Sequence, residues 1–145
     1  MIMTLSRLVA QVESANCKFV MRYEPSWNYV TRAIIDRFHD AHRPVRMSPG
    51  TALVLLSTSW GKYQIMGSVL YEMGYAGHLT EFADSEYLQD QYYDVYVKRR
   101  NIDYTLAEIL NDKEKREHFA HRYNGDKKVY SQRLLNVYTE MMKGN

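Results

Sequence analysis

The chain has 145 residues, a formal charge of +2 and a single cysteine, Cys17. That length suits one domain, residues 1–145, able to bury roughly two-thirds of its unfolded surface, and so small a charge gives no ground for a nucleic-acid partner. One cysteine excludes an internal disulfide, and no apolar run reaches transmembrane length, so no membrane insertion is expected.

Ile2, Leu5, Leu8, Val9 and Val12 recur at helical spacing and predict a helix from about Thr4 to Ser14. Glu13 falls in its last turn, where the helix dipole disfavours a carboxylate and burial beside apolar groups raises the pKa further. That setting suits a general acid. No period holds from Asn16 to Pro25, which reads as a loop carrying Arg22, Tyr23 and Glu24 over a cleft. Ser26 is then expected to cap a helix that buries Trp27, Val30, Ile34, Ile35 and Phe38. Ser48 as N-cap and Pro49 at the first helical position open a short buried helix through Leu56.

The stretch from Thr58 to Gly67 interrupts two apolar segments with small, aromatic and amide residues and reads as a site. Gly61 permits close approach of backbone to a ligand, and Gln64 offers a donor and an acceptor to substrate or to the local loop. Trp60, Tyr63 and Tyr75 present flat faces to a sugar, although aromatics at helix corners more often belong to a core. From Ile65 a helix is expected to run to Gly74 and Gly77. Further helices follow from Asp84 or Ser85 to the basic Lys98-Arg99-Arg100, from Thr105 to Leu110, and from Asp112 to Asn124-Gly125. The last, after Asp126, buries Tyr130, Leu134, Val137, Tyr138 and Met141. The expectation is an all-α fold of about seven helices with little or no sheet. His118 and His121 have a metal-compatible spacing but no third ligand, so neither a metal nor another cofactor is expected.

Three blocks carry a resemblance. Ser59-x-Gly61-x-x-Gln64-Ile65-Met66 resembles the Ser-x-Gly-x-x-Gln motif of lysozyme-like lytic transglycosylases (SLT domains) and goose-type lysozymes. Val12-Glu13-Ser14-x-Asn16, followed by Arg22-Tyr23-Glu24-Pro25, is similar to the block in which that family's catalytic glutamate ends its first helix. Phe119-Ala120-x-x-Tyr123-Asn124-Gly125 resembles the family's Ala-Tyr-Asn block, in the spacing of phage N-acetylmuramidase endolysins.

The resemblance implies a lysozyme-like helical domain that cleaves the β-1,4 bond between N-acetylmuramic acid and N-acetylglucosamine in bacterial peptidoglycan. Glu13 takes the catalytic position. Ser14, Glu24, Ser59, Gly61, Tyr63, Gln64, Tyr123 and Asn124 become binding or supporting residues, with the Tyr123 phenol holding Glu13 and Asn124 meeting an N-acetyl group. Glu24 is either a second carboxylate or an ion-pair partner of Arg22 or Lys18. The expected outcome is lytic transglycosylation, in which Glu13 acts as acid and then as base and a 1,6-anhydro product forms without water. The alternatives are hydrolysis by a phage muramidase and an inactive glycan-binding virion module. The chain shows no signal peptide, so the expectation is synthesis in the cytoplasm and action on the cell wall in the periplasm, with a phage virion or larger assembly as a further partner.

Overall fold

A computed structural model describes residues 2–144 and holds, among them, nine helices and one three-stranded sheet. Helix α1 (Leu5–Ser14) starts at Thr4, whose side chain accepts a hydrogen bond from the Arg7 amide. Its inner stripe places Leu8 and Val9 wholly out of solvent. It ends on two left-handed residues, Ala15 at φ +53° and Asn16 at φ +60°. Left-handed backbone costs about 1–2 kcal/mol for a residue with a Cβ, so this sharp exit beside Glu13 must be held by its surroundings. Ser14 supplies part of that hold: its hydroxyl donates to the Lys62 carbonyl at 2.9 Å and accepts from the Cys17 amide.

The segment after α1 contains a strand, β1 (Met21–Tyr23), where a loop was expected. All three residues are exposed, so no alternation of burial marks it in the sequence. It exists because β2 (Thr58–Trp60) pairs with it antiparallel, Met21 opposite Trp60, and β2 in turn pairs with β3 (Ile65–Met66). Ile65 and Met66 therefore precede the next helix and do not open it. The sheet is as small as anticipated.

Helix α2 (Arg32–Ala41) is capped by Thr31 and not by Ser26, which lies in a turn where the Trp27 amide bonds to the Glu24 carbonyl. Trp27 and Val30 are packed against the core from outside any helix. Helix α3 (Pro49–Leu56) has the anticipated Ser48 cap and Pro49 start. Helix α4 (Gly67–Glu72) begins where a Cβ on Gly67 would stand 2.7 Å from the Leu55 carbonyl oxygen, so glycine lets α4 close on the end of α3.

Helix α5 (Leu79–Asp84) was not expected, and it has no side-chain cap of its own. His42, at the end of α2, accepts the Leu79 amide through Nε2 at 3.3 Å. That acceptor must be neutral imidazole, and burial lowers the His42 pKa accordingly. Three of the remaining helices start at the anticipated positions, α6 (Glu86–Arg99) at Ser85, α7 (Leu106–Asn111) at Thr105 and α8 (Lys113–Asn124) at Asp112, while α9 (Lys127–Lys143) is capped by Asp126 from the turn before it. Helix α9 packs on both α8 and α1, while α2 packs on α3 and α4. Phe38, Tyr71, Phe82, Phe119 and Leu134 lie at the centre of the core. No described helix is long and apolar enough to cross a membrane.

Candidate active site

A cleft of about 660 Å³ opens beside the sheet, with walls from the end of α1, the β1 segment, β2 and β3, α6 and the end of α8. Its volume lies within the range of small-ligand clefts. Glu13 lines it, half-buried at the end of α1. Burial holds the Glu13 pKa above the usual carboxylate value, against the opposing pull of a Tyr130 hydrogen bond and of Arg133 and Arg22. A carboxyl that keeps its proton to higher pH can protonate a leaving-group oxygen.

The tyrosine that holds Glu13 is Tyr130 and not Tyr123. The Tyr130 hydroxyl donates to Glu13 Oε2 at 2.7 Å, whereas the Tyr123 hydroxyl donates to the Tyr63 carbonyl at 2.6 Å. In the sequence Tyr130 is simply one position of a buried stripe; only the packing of α9 on α1 aims it at the acid. Arg133, one turn further along α9, donates to the Val12 carbonyl at 3.0 Å and so fastens the same helix end. Tyr123 lines the same cleft and stacks on Tyr130 with 6.1 Å between ring centres.

Tyr130 also sets a testable electrostatic balance. Its hydrogen bond favours the ionised carboxylate, so Tyr130→Phe removes a stabiliser of the charged form and raises the Glu13 pKa further. The alkaline limb of a kcat/KM pH profile should move to higher pH in Tyr130→Phe. A limb that stays in place or moves down would separate Tyr130 from the acid's titration.

The central motif is mostly architecture. Gln64 takes a left-handed backbone, φ +54°, in the turn between β2 and β3. Its amide nitrogen donates to the Val20 and Gly61 carbonyls, and its oxygen accepts from Ser59 Oγ at 2.7 Å. Both amide donors are thus engaged by the protein, and the side chain closes the turn while one edge faces the cleft. Ser59 lies opposite Arg22 in the sheet and also lines the cleft.

Gly61, at φ +80°, admits a protein side chain and not a ligand. A Cβ there would stand 2.6 Å from the amide carbon and oxygen of Gln89. Gln89, 1% exposed on α6, accepts the Lys62 amide at 2.9 Å and donates to the carbonyls of Phe82, Ala83 and Lys18. It joins three segments behind the cleft, and nothing in the sequence singled it out. Lys62 beside it pairs with Asp90 at 2.8 Å.

The sugar-stacking candidates also change. Trp60, Tyr63 and Tyr75 are 5%, 4% and 6% exposed and belong to the core. The Tyr63 ring stacks on Tyr93 and its hydroxyl donates to Asp90, so this residue reaches the site only through its carbonyl. The aromatic side chains that line the cleft are Trp27, Tyr29, Tyr96 and Tyr123, with Trp27 and Tyr29 packed edge to face at 4.8 Å. Glu24 and Asn124 line the cleft as well. His118 is engaged elsewhere, its Nδ1 bonded to the Tyr104 hydroxyl at 2.6 Å.

A family model described as Muramidase, N-acetylmuramidase, matches residues 30–142. The chain belongs to this family. Among relatives of the muramidase, the endolysin of Enterobacteria phage PRD1 is 31% identical over 132 residues, covering 84% of this chain and 86% of that protein. No solved structure matches. The match to the muramidase family begins beyond Glu13 and Glu24, so it bears on neither residue.

Proposed function

We propose that this muramidase hydrolyses the β-1,4 bond between N-acetylmuramic acid and N-acetylglucosamine in peptidoglycan. Glu13 gives its proton to the leaving oxygen and Glu24 serves as the second carboxylate. One observation carries this reading: the carboxyl groups that line the cleft are Glu13 and Glu24, and burial of Glu13 favours its protonated form. Glycosidases need such a division, one carboxylic acid to protonate and one carboxylate to stabilise charge or activate water. Aromatic faces of Tyr29 and Tyr96 suit the sugar rings, and Asn124 suits an amide substituent. A half-buried carboxyl with a raised pKa, lining a cleft next to a left-handed helix exit, argues for catalysis over an inactive glycan-binding module.

The family match and the endolysin relative favour hydrolysis over the transglycosylation expected from the Ser-x-Gly-x-x-Gln motif. The two differ by one water in the product. Mass spectrometry of digested peptidoglycan should show reducing-end muropeptides, and Glu24→Gln should lower turnover about 10²-fold or more. If 1,6-anhydro products dominate and Glu24→Gln works nearly as well as the natural chain, one glutamate acts twice and the transglycosylase mechanism replaces this one.

A further inference from the structure

Beyond the catalytic cleft, the end of α6 and the end of α8 converge on a second groove of about 210 Å³. It shares Val69, Tyr96 and Arg100 with the cleft, so the two are continuous. Three guanidinium groups line it, Arg99 and Arg100 at the end of α6 and Arg122 in the last turn of α8, against a single carboxylate, Glu72. Among the described residues no ion pair and no side-chain hydrogen bond engages Arg99, Arg100 or Arg122. Arg100 lies over the Tyr96 ring at 5.0 Å, which places its guanidinium at the junction with the cleft.

Basic residues at helix ends are ordinary, each stabilising its helix by about 0.3–1 kcal/mol. Two helix ends that bring three such charges to one groove are a different matter. The like charges repel, and the arrangement is stabilised by an anion that accepts the guanidinium donors. We infer that this groove binds the carboxylates of the peptide stems on the glycan strand, so that the enzyme selects acidic, stem-bearing peptidoglycan over neutral strands of the same length. The inference rests on the glycan-cleaving function proposed above. The carboxylates in question belong to the stem, because in a stem-bearing muramic acid the lactyl carboxyl is tied up as an amide. A strand lying in the cleft with its sugar against Tyr96 places its substituent toward Arg100 and the groove beyond.

Binding separates this inference from the catalytic one. The Glu13→Gln protein is titrated with soluble stem-bearing strands whose amines have been acetylated, and with the same strands after their carboxyls have been converted to carboxamides. Acidic strands should bind about tenfold tighter at low salt, and the difference should vanish near 0.5 M salt, where the screening length falls to about 4 Å. Arg99→Gln with Arg122→Gln should bring the ratio to within about twofold, changing two exposed side chains that no fold contact uses. Equal binding of the two strands overturns the inference, as does a preference that survives the double substitution. Strands stripped of stems by an amidase keep only the lactyl carboxylate, and if they bind as tightly as the acidic strands the stem is not what is recognised. If no strand binds at all, the glycan reading falls with it, a result unlike equal binding, which leaves that reading intact.

Discussion

Glu13→Gln is expected to lower turnover on peptidoglycan by about 10²- to 10⁴-fold, because it removes the transferable proton while keeping the shape and the oxygen that accepts from Tyr130. The same substitution should stabilise the fold at neutral pH. Burial raises the Glu13 pKa in the folded protein, so the folded state binds this proton more tightly than the unfolded chain. The contribution is therefore fully present below the unfolded value of about 4.5 and is lost as pH rises through the folded value. Gln does not titrate. Thermal unfolding should show the variant more stable than the natural protein at pH 7, with the gap closing toward pH 4. A variant that is less stable at pH 7, or one that keeps substantial activity, would remove Glu13 from the role of buried acid.

Gln89→Leu is expected to cost about 3–5 kcal/mol, measured by urea unfolding. It strands the buried Lys62 amide and takes the donor from three carbonyls, and each unsatisfied buried group costs about 1–3 kcal/mol. Gly61→Ala attacks the same contact from the other side, adding left-handed strain and a Cβ that Gln89 can escape only by dropping its hydrogen bonds. The two losses should not add. Once Gln89→Ala has emptied the space, Gly61→Ala should cost only its backbone strain, about 1–2 kcal/mol. Full additivity would show that Gly61 and Gln89 act apart.

What the sequence made legible follows from what is local. Thr4, Ser48, Ser85, Thr105 and Asp112 all cap the helices they were expected to open, because an N-cap is a contact within three residues. A short motif and a place at a helix end pointed to Glu13, which does line the cleft at the end of α1. The losses lie where the partner is remote. Strand β1 needs β2, helix α5 needs His42, and neither partner leaves a periodic trace in the segment it completes. The same reason explains why Tyr123 was given the task that Tyr130 performs, and why Gly61 seemed to face a ligand. Family likeness identifies which residues gather at a site; it takes coordinates to say which of them touch. Tyr29, Tyr96 and Arg100 join the cleft from segments in which their residue types are unremarkable.

The hydrogen bond between Tyr130 and Glu13 spans 117 positions of chain. Closing so long a loop costs entropy that the packing of α9 on α1 must offset. The surroundings that raise the Glu13 pKa depend on the docking of α9 on α1, and the unfolded chain carries Glu13 as an ordinary solvated carboxylate. The surroundings of the proposed acid are a property of the closed chain, so turnover is expected to report complete folding.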